Sequence, residues 1–134
     1  MKSIVFDTHA LITFFRKEPN YEVVRDLLVD VANNQSEAYM SSVNAGEVFY
    51  MMSRKSNLKA AGEAIKALQL FPIHFIDANF TNCLEAAELK AKYKFSYADA
   101  FAAALTINKK ATLITGDKEF ESLIREAGFK VRWM

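Results

Sequence analysis

Five carboxylates in this chain sit where a helix-surface role does not account for them. Asp7 ends the apolar run "SIVF", Asp77 ends "PIHFI", and Asp117 follows "ATLITG", so each stands at the close of a β-rich segment. Glu47 and Asp99 lie instead inside helical patterns that are apolar on most sides. An acid is almost never fully buried without a partner. The other acids read as ordinary: Glu63 follows Lys59 by four, Glu88 precedes Lys92 by four, and Glu121 precedes Arg125 by four, spacings that give modest helix-surface pairs.

Each of the five has a structural role open to it. Asp7 precedes the helical pattern "THALITFF" and serves equally as an N-cap or as a ligand. Asp99 stands three residues after Ser96, close to the S-x-x-E capping box, and an acid there also suits the positive end of the helix. Its helical face carries Ala102, Ala103 and Thr106, small residues that let another element approach and would turn the carboxylate inward. Glu47 has Val43, Tyr50 and Met51 as wheel neighbours, and its nearest cationic partner, Arg54, is two turns away. Asp117 follows a glycine that permits a tight turn and could cap the last helix. Asp77 reads as a plain cap for the helix opened by "DAN".

If Asp7, Glu47, Asp99 and Asp117 converge, their charges require compensation. Two unit charges 4 Å apart repel by roughly 4 kcal/mol at an effective dielectric of ~20. Protons or a cation must offset this, and an all-oxygen ligand set selects Mg²⁺ or Mn²⁺ over zinc. A divalent ion on carboxylates clamps phosphates, lowers the pKa of bound water and stabilises a leaving oxyanion, which is the chemistry of phosphodiester hydrolysis. His9 and His74 are not spaced as a metal motif.

The elements that would position these acids alternate along the chain. β-rich runs fall near 3–6, 37–41, 72–76, 111–115 and 130–133, and helical patterns near 8–17, 20–33, 43–54, 57–70, 78–93, 96–108 and 117–126. Such alternation predicts a three-layer α/β/α sandwich around a mostly parallel five-stranded sheet. In open parallel sheets the ligand site lies outside the strand carboxyl ends where the strand order reverses. That rule says which acids to examine, and Asp7 and Asp117 stand at such strand ends, with Thr8 and His9 following Asp7.

With 134 residues, 51% of them hydrophobic, and the four glycines and two prolines scattered singly, residues 1–134 read as one domain with one core. The lone Cys83 cannot form an internal disulfide, which fits a reducing compartment. The apolar opening resembles a signal peptide, but Asp7 and His9 interrupt it, and no run approaches a membrane span, so a soluble cytoplasmic protein is expected. Seventeen basic against sixteen acidic residues leave a charge of +1, without the global field of a strongly basic nucleic-acid binder.

Three blocks, "IVFDTHALITFF", "SSVNAGEVFY" and "FSYADAFAAALTINKKATLITGDKEF", resemble the PilT N-terminus (PIN) domain, and within it the VapC-type toxin ribonucleases. The last block, an aspartate opening an alanine-rich helix and a strand ending in T-G-D, is the most specific. The resemblance implies that Asp7, Glu47, Asp99 and Asp117 are the catalytic and metal-binding acids. Thr115 and Thr8 are then supporting hydroxyls, and Glu119 is a further, less closely matching acid. It also implies a Mg²⁺- or Mn²⁺-dependent endoribonuclease, active on RNA as a homodimer and silenced by a small antitoxin protein. RNA maturation and flap cleavage are alternatives within the same fold, as is a metal- or partner-binding module without turnover. A haloacid-dehalogenase-like phosphatase needs an aspartate where His9 stands; a phosphoacceptor receiver domain would place its acceptor at Asp77.

Overall fold

Strand β1 (Lys2–Phe6) is buried from Ile4 onward and stops at Asp7, whose backbone is extended and whose side chain caps the helix that follows. That helix, α1 (Thr8–Phe15), leads through α2 (Tyr21–Ala32) into β2 (Ser36–Ser41). No loop separates β2 from α3 (Ser42–Lys55), because Ser41 is both the last strand residue and the N-cap that accepts from the Val43 N–H. Helix α4 (Leu58–Leu70), β3 (Ile73–Ile76), α5 (Phe80–Lys92), α6 (Tyr97–Asn108) and β4 (Thr112–Thr115) follow. The chain ends with a 3-10 turn (Lys118–Phe120), a short helix α7 (Glu121–Ile124) and β5 (Lys130–Trp133). This computed structural model describes residues 1–125 and 129–134.

All four strand pairs are parallel, and the sheet order is β3-β2-β1-β4-β5. The chain steps outward from β1 to β3 and then returns to lay β4 on the other side of β1. The order therefore reverses between β1 and β4, whose carboxyl ends carry Asp7 and Asp117. Period-two alternation sorts the strands into two cores. Ile4, Phe6, Ala38, Met40, Ile73 and Ile114 pack with helices α1 to α4, whereas Val5 and Leu113 pack with α5, α6 and α7. The result is the α/β/α sandwich expected from the sequence.

Few glycines are available to end the helices, so other residues take the left-handed conformation there. Lys17, Asn34 and Lys110 have φ of 50°, 58° and 51°. At all three, the next residue's N–H reaches back five positions, as in Glu18 to Thr13 at 3.0 Å, the bond of a Schellman cap.

Three expectations change. The helix expected over 117–126 is a 3-10 turn followed by four helical residues, because Asp117 turns back to cap the segment instead of entering it; position 126 lies outside the described residues. Asn79, not Asp77, caps α5, its Oδ1 accepting from the Asn82 N–H at 2.8 Å. Among the described residues the closed ion pairs are Arg16 with Glu18, Arg25 with Asp26 and His74 with Glu37, rather than the four-residue pairs at Glu63, Glu88 and Glu121. Exposed pairs of that kind gain too little to hold two long side chains in one geometry.

Candidate active site

A cleft of about 400 Å³ opens above the junction of β1 and β4. Its lining includes Thr8 and His9 from α1, Glu47, Met51 and Lys55 from one stripe of α3, Ser96 and Asp99 from the start of α6, and Asp117 and Glu119 beyond β4. Helix α3, the start of α6 and the segment beyond β4, distant in sequence, therefore deliver carboxylates to one place, and α1 adds a hydroxyl and an imidazole.

Asp7 does not line the cleft itself: it is 1% exposed and lies beneath, where the charges of Glu47, Asp99 and Asp117 reach it. Its Oδ1 accepts from the Ala10 N–H at 2.8 Å, which caps α1, and its Oδ2 accepts from the Thr115 hydroxyl. Cap and site component are thus one residue with two oxygens in different uses. Thr115, fully buried, also accepts from the Asp117 N–H at 2.9 Å, so one hydroxyl ties two of the acids together. Asp117 in turn accepts from the Glu119 N–H at 2.9 Å, which folds the 3-10 turn back over the cleft.

Asp99 lies in the first turn of α6, where its N–H donates to Ser96 Oγ at 3.1 Å. The alanine-rich face beyond it is buried from Ala100 through Thr106, with Ala102 and Ala103 at 0% exposure. Small side chains let α6 settle against β1, β2 and β4, and the helix start then holds Asp99 over the strand ends. Carboxylate oxygens of Asp99, Asp117 and Glu119 all lie within 4.8 Å of one another. Charges at that separation repel by roughly 3.5 kcal/mol at an effective dielectric of ~20.

The electrostatics follow from this crowding. Burial pushes Asp7 from 3.8 up to about 7; the Thr115 and Ala10 hydrogen bonds oppose the rise, and the charges of Asp117 and Glu47 add to it. Burial likewise raises Asp99 to about 7, reinforced by the neighbouring Asp117 and Asp7 and opposed by the Ser96 hydroxyl. The site favours protons until another positive charge replaces them. An all-oxygen set with three oxygens this close fits a hard divalent cation, and Asp99, Asp117 and Glu119 are the residues placed to hold one.

Glu47 reaches the cleft from α3 but stands outside that closest group. Its Oε2 accepts from the Tyr50 hydroxyl at 3.0 Å, and the Arg54 guanidinium lies 5.2 Å from the Tyr50 ring centre. Arg54 therefore acts through the tyrosine ring instead of pairing directly with Glu47. Asp77 is not in the cleft; it lines a separate cavity of about 170 Å³ beside β3.

Two residues matter more than the sequence suggested. Asn44 is completely buried one turn before Glu47, and its Nδ2 donates to Thr8 Oγ1 and to the Ala98 carbonyl, both at 3.1 Å. It thereby joins α1, α3 and α6 beside three of the acids. Its polarity on the Glu47 face of an apolar helix was the available signal. Gly116, expected to serve a tight turn, has no left-handed φ; a Cβ there would come 2.6 Å from His9 Cε1. The His9 ring, not a left-handed backbone, takes up the room a side chain at 116 would fill.

Known proteins share this architecture. The VapBC2 structure from Rickettsia felis bound to a promoter DNA fragment has a chain similar to this one, with a TM-score of 0.73, 16% identity and 98% coverage of both chains. VapC20 of Mycobacterium tuberculosis, a sarcin-ricin loop cleaving toxin, gives 0.73 at 18% identity, over 90% of this chain and 94% of its own. FitAcB of Neisseria gonorrhoeae gives 0.68 at 20% identity, over 96% and 95%. At such identities the likeness establishes the fold. No curated protein matches in sequence. The PIN domain family model, however, matches residues 4–125, nearly the whole chain, and with the acids gathered at the β1/β4 switch point it leads to one conclusion: this chain belongs to the PIN domain family.

Proposed function

We propose that this protein is a Mg²⁺- or Mn²⁺-dependent endoribonuclease, the toxin of a type II toxin-antitoxin pair. The observation that carries the reading is the convergence of Asp99, Asp117 and Glu119 to within 4.8 Å above buried Asp7, with Glu47 on the facing helix. A bound divalent ion would supply an acidified water and charge neutralisation at the leaving 3′ oxygen. The protein's part is positional. Thr115 holds Asp7 and Asp117 in register, and Ser96 fixes the first turn of α6 and so the Asp99 carboxylate. Asp7, needing no direct contact with substrate, sets the charge beneath the site.

One stripe of α3, Glu47, Met51 and Lys55, lines the cleft. Eight helical residues span about 12 Å, so Lys55 stands well beyond the acids as a cation for the flanking backbone phosphates. A local cation of this kind lets a chain of net charge +1 hold RNA without a global field. Hydrolysis would leave a 5′-phosphate and a 3′-hydroxyl. The toxin role is supported by the fold shared with chains from VapBC and FitAB toxin-antitoxin structures, and it carries with it a small antitoxin, a homodimer and a cytoplasmic location. No helix among the described residues is long and apolar enough to cross a membrane.

The test is cleavage of a panel of RNAs by purified protein with Mg²⁺ or Mn²⁺, alongside Asp99→Asn and Asp7→Asn. Metal-dependent cleavage lost in both variants is expected. Undiminished cleavage by both would overturn the site, and Mn²⁺ binding without cleavage of any RNA would assign the chain to metal-dependent binding instead.

A further inference from the structure

The second residue of the cleft's first helix has no role in the nuclease reading above. His9 is exposed at the cleft wall with Asp99, Asp117 and Glu119, and among the described residues neither of its ring nitrogens has a hydrogen-bond partner. Its ring is nevertheless held. A Cβ at residue 116 would lie 2.6 Å from Cε1 and 3.0 Å from Nδ1, so the imidazole occupies the volume that any side chain at that position would need. Gly116 is flanked by Thr115 and Asp117, and the ring is therefore seated on the segment that carries two parts of the acid site.

We infer that His9 donates a hydrogen bond to a phosphate oxygen of the bound strand, and that Gly116 is glycine because this ring rests on it. The inference rests on the nuclease reading above. A phosphodiester entering a wall of carboxylates meets mostly acceptors and needs donors. Thr8 already donates to the Asn44 carbonyl, and the Ser96 hydroxyl, which accepts from the Asp99 N–H, keeps its own proton; His9 and Lys55 are the nitrogen donors of the lining. Lys55 sits two turns along α3 from Glu47 on a long stem, whereas His9 stands beside the acids on a short, seated ring. A neutral imidazole carries one N–H, so the contact needs no change of charge.

Steady-state cleavage of a short RNA separates the possibilities when Mn²⁺ affinity is measured on the same proteins. His9→Ala is expected to lower kcat/KM about tenfold, the scale of one hydrogen bond to a charged group. His9→Gln, which keeps an N–H donor, should recover most of the loss. Gly116→Ala should fall to the level of His9→Ala by displacing the ring, and the double variant should be no worse than His9→Ala alone. Mn²⁺ affinity should stay at the wild-type value throughout. The inference is overturned if His9→Ala cleaves like wild type, if the two losses add in full, or if Mn²⁺ affinity drops with His9. A wild type that cleaves no RNA would remove the nuclease reading and this inference with it.

Discussion

Replacing Asp7 by Asn tests the electrostatics beneath the site without disturbing its shape. Burial raises this carboxyl from 3.8 to about 7, so between those values the folded protein holds a proton that the unfolded chain has released. Stability falls as pH rises wherever the folded state binds more protons. The metal-free protein should therefore lose stability from about pH 4 to about pH 7 and change little above. A shift of about three units corresponds to roughly 4 kcal/mol. Asn caps a helix as well as Asp, so the bond from the Ala10 N–H survives the change. The amide would present N–H groups to Thr115, leaving the threonine hydroxyl without its acceptor, a loss of about 1 kcal/mol. In chelator, Asp7→Asn should accordingly be less stable than wild type by about 1 kcal/mol near pH 4 and more stable by about 3 kcal/mol near pH 8. Urea unfolding across that range reads the crossover directly. Saturating Mn²⁺ near pH 8 should narrow the difference, because the Asp7 charge beneath the site strengthens metal binding in the wild type and the more tightly binding protein gains more stability. Parallel stability curves for the two proteins from pH 4 to 8 would refute the raised carboxyl.

Four further substitutions probe how the site and the surrounding helices are held. Asn44→Leu keeps the volume but removes the two buried hydrogen bonds from Nδ2 to Thr8 Oγ1 and to the Ala98 carbonyl, and should destabilise by about 2 kcal/mol in urea while weakening Mn²⁺ binding, since the helices α1, α3 and α6 lose a common tie. Phe120, fully buried with its ring 5.8 Å from that of Phe95, anchors the turn carrying Asp117 and Glu119; Phe120→Ala should lose about 3 to 5 kcal/mol by thermal or urea unfolding. Asn79→Ala should lose about 1 kcal/mol as the cap of α5, whereas Asp77→Ala should be nearly silent in the same assay.

Much of the architecture was legible along the chain because the central strands β1 and β4 are buried and read as short apolar runs, and the outer strands still stand apart from the helical patterns that flank them. β5 at Lys130–Trp133 coincides with its expected span, and β1 and β2 each begin one residue earlier. The caps at Asp7 and Ser96 were equally readable, since a cap is a local bond between residues three apart. The segment after β4 departs from its helical pattern because the Asp117 N–H donates back to Thr115 while its carboxylate accepts from the Glu119 N–H two residues ahead, a choice that a helical pattern does not encode.

By itself the sequence determined which residue types could do chemistry and that Asp7 and Asp117 end strands. Composition and periodicity reach that far because they depend only on neighbours. Which oxygens come within 4.8 Å, and that Glu119 joins Asp99 and Asp117 while Glu47 stays with Tyr50, depended on how α6 and α3 cross the strand ends. The tertiary structure also decided the meaning of Gly116 and Asn44. One answers to a ring 107 residues away in sequence, from 9 to 116, and the other to a hydroxyl 36 residues away. Such contacts arise only when the sheet folds its switch point together, so no local pattern could announce them.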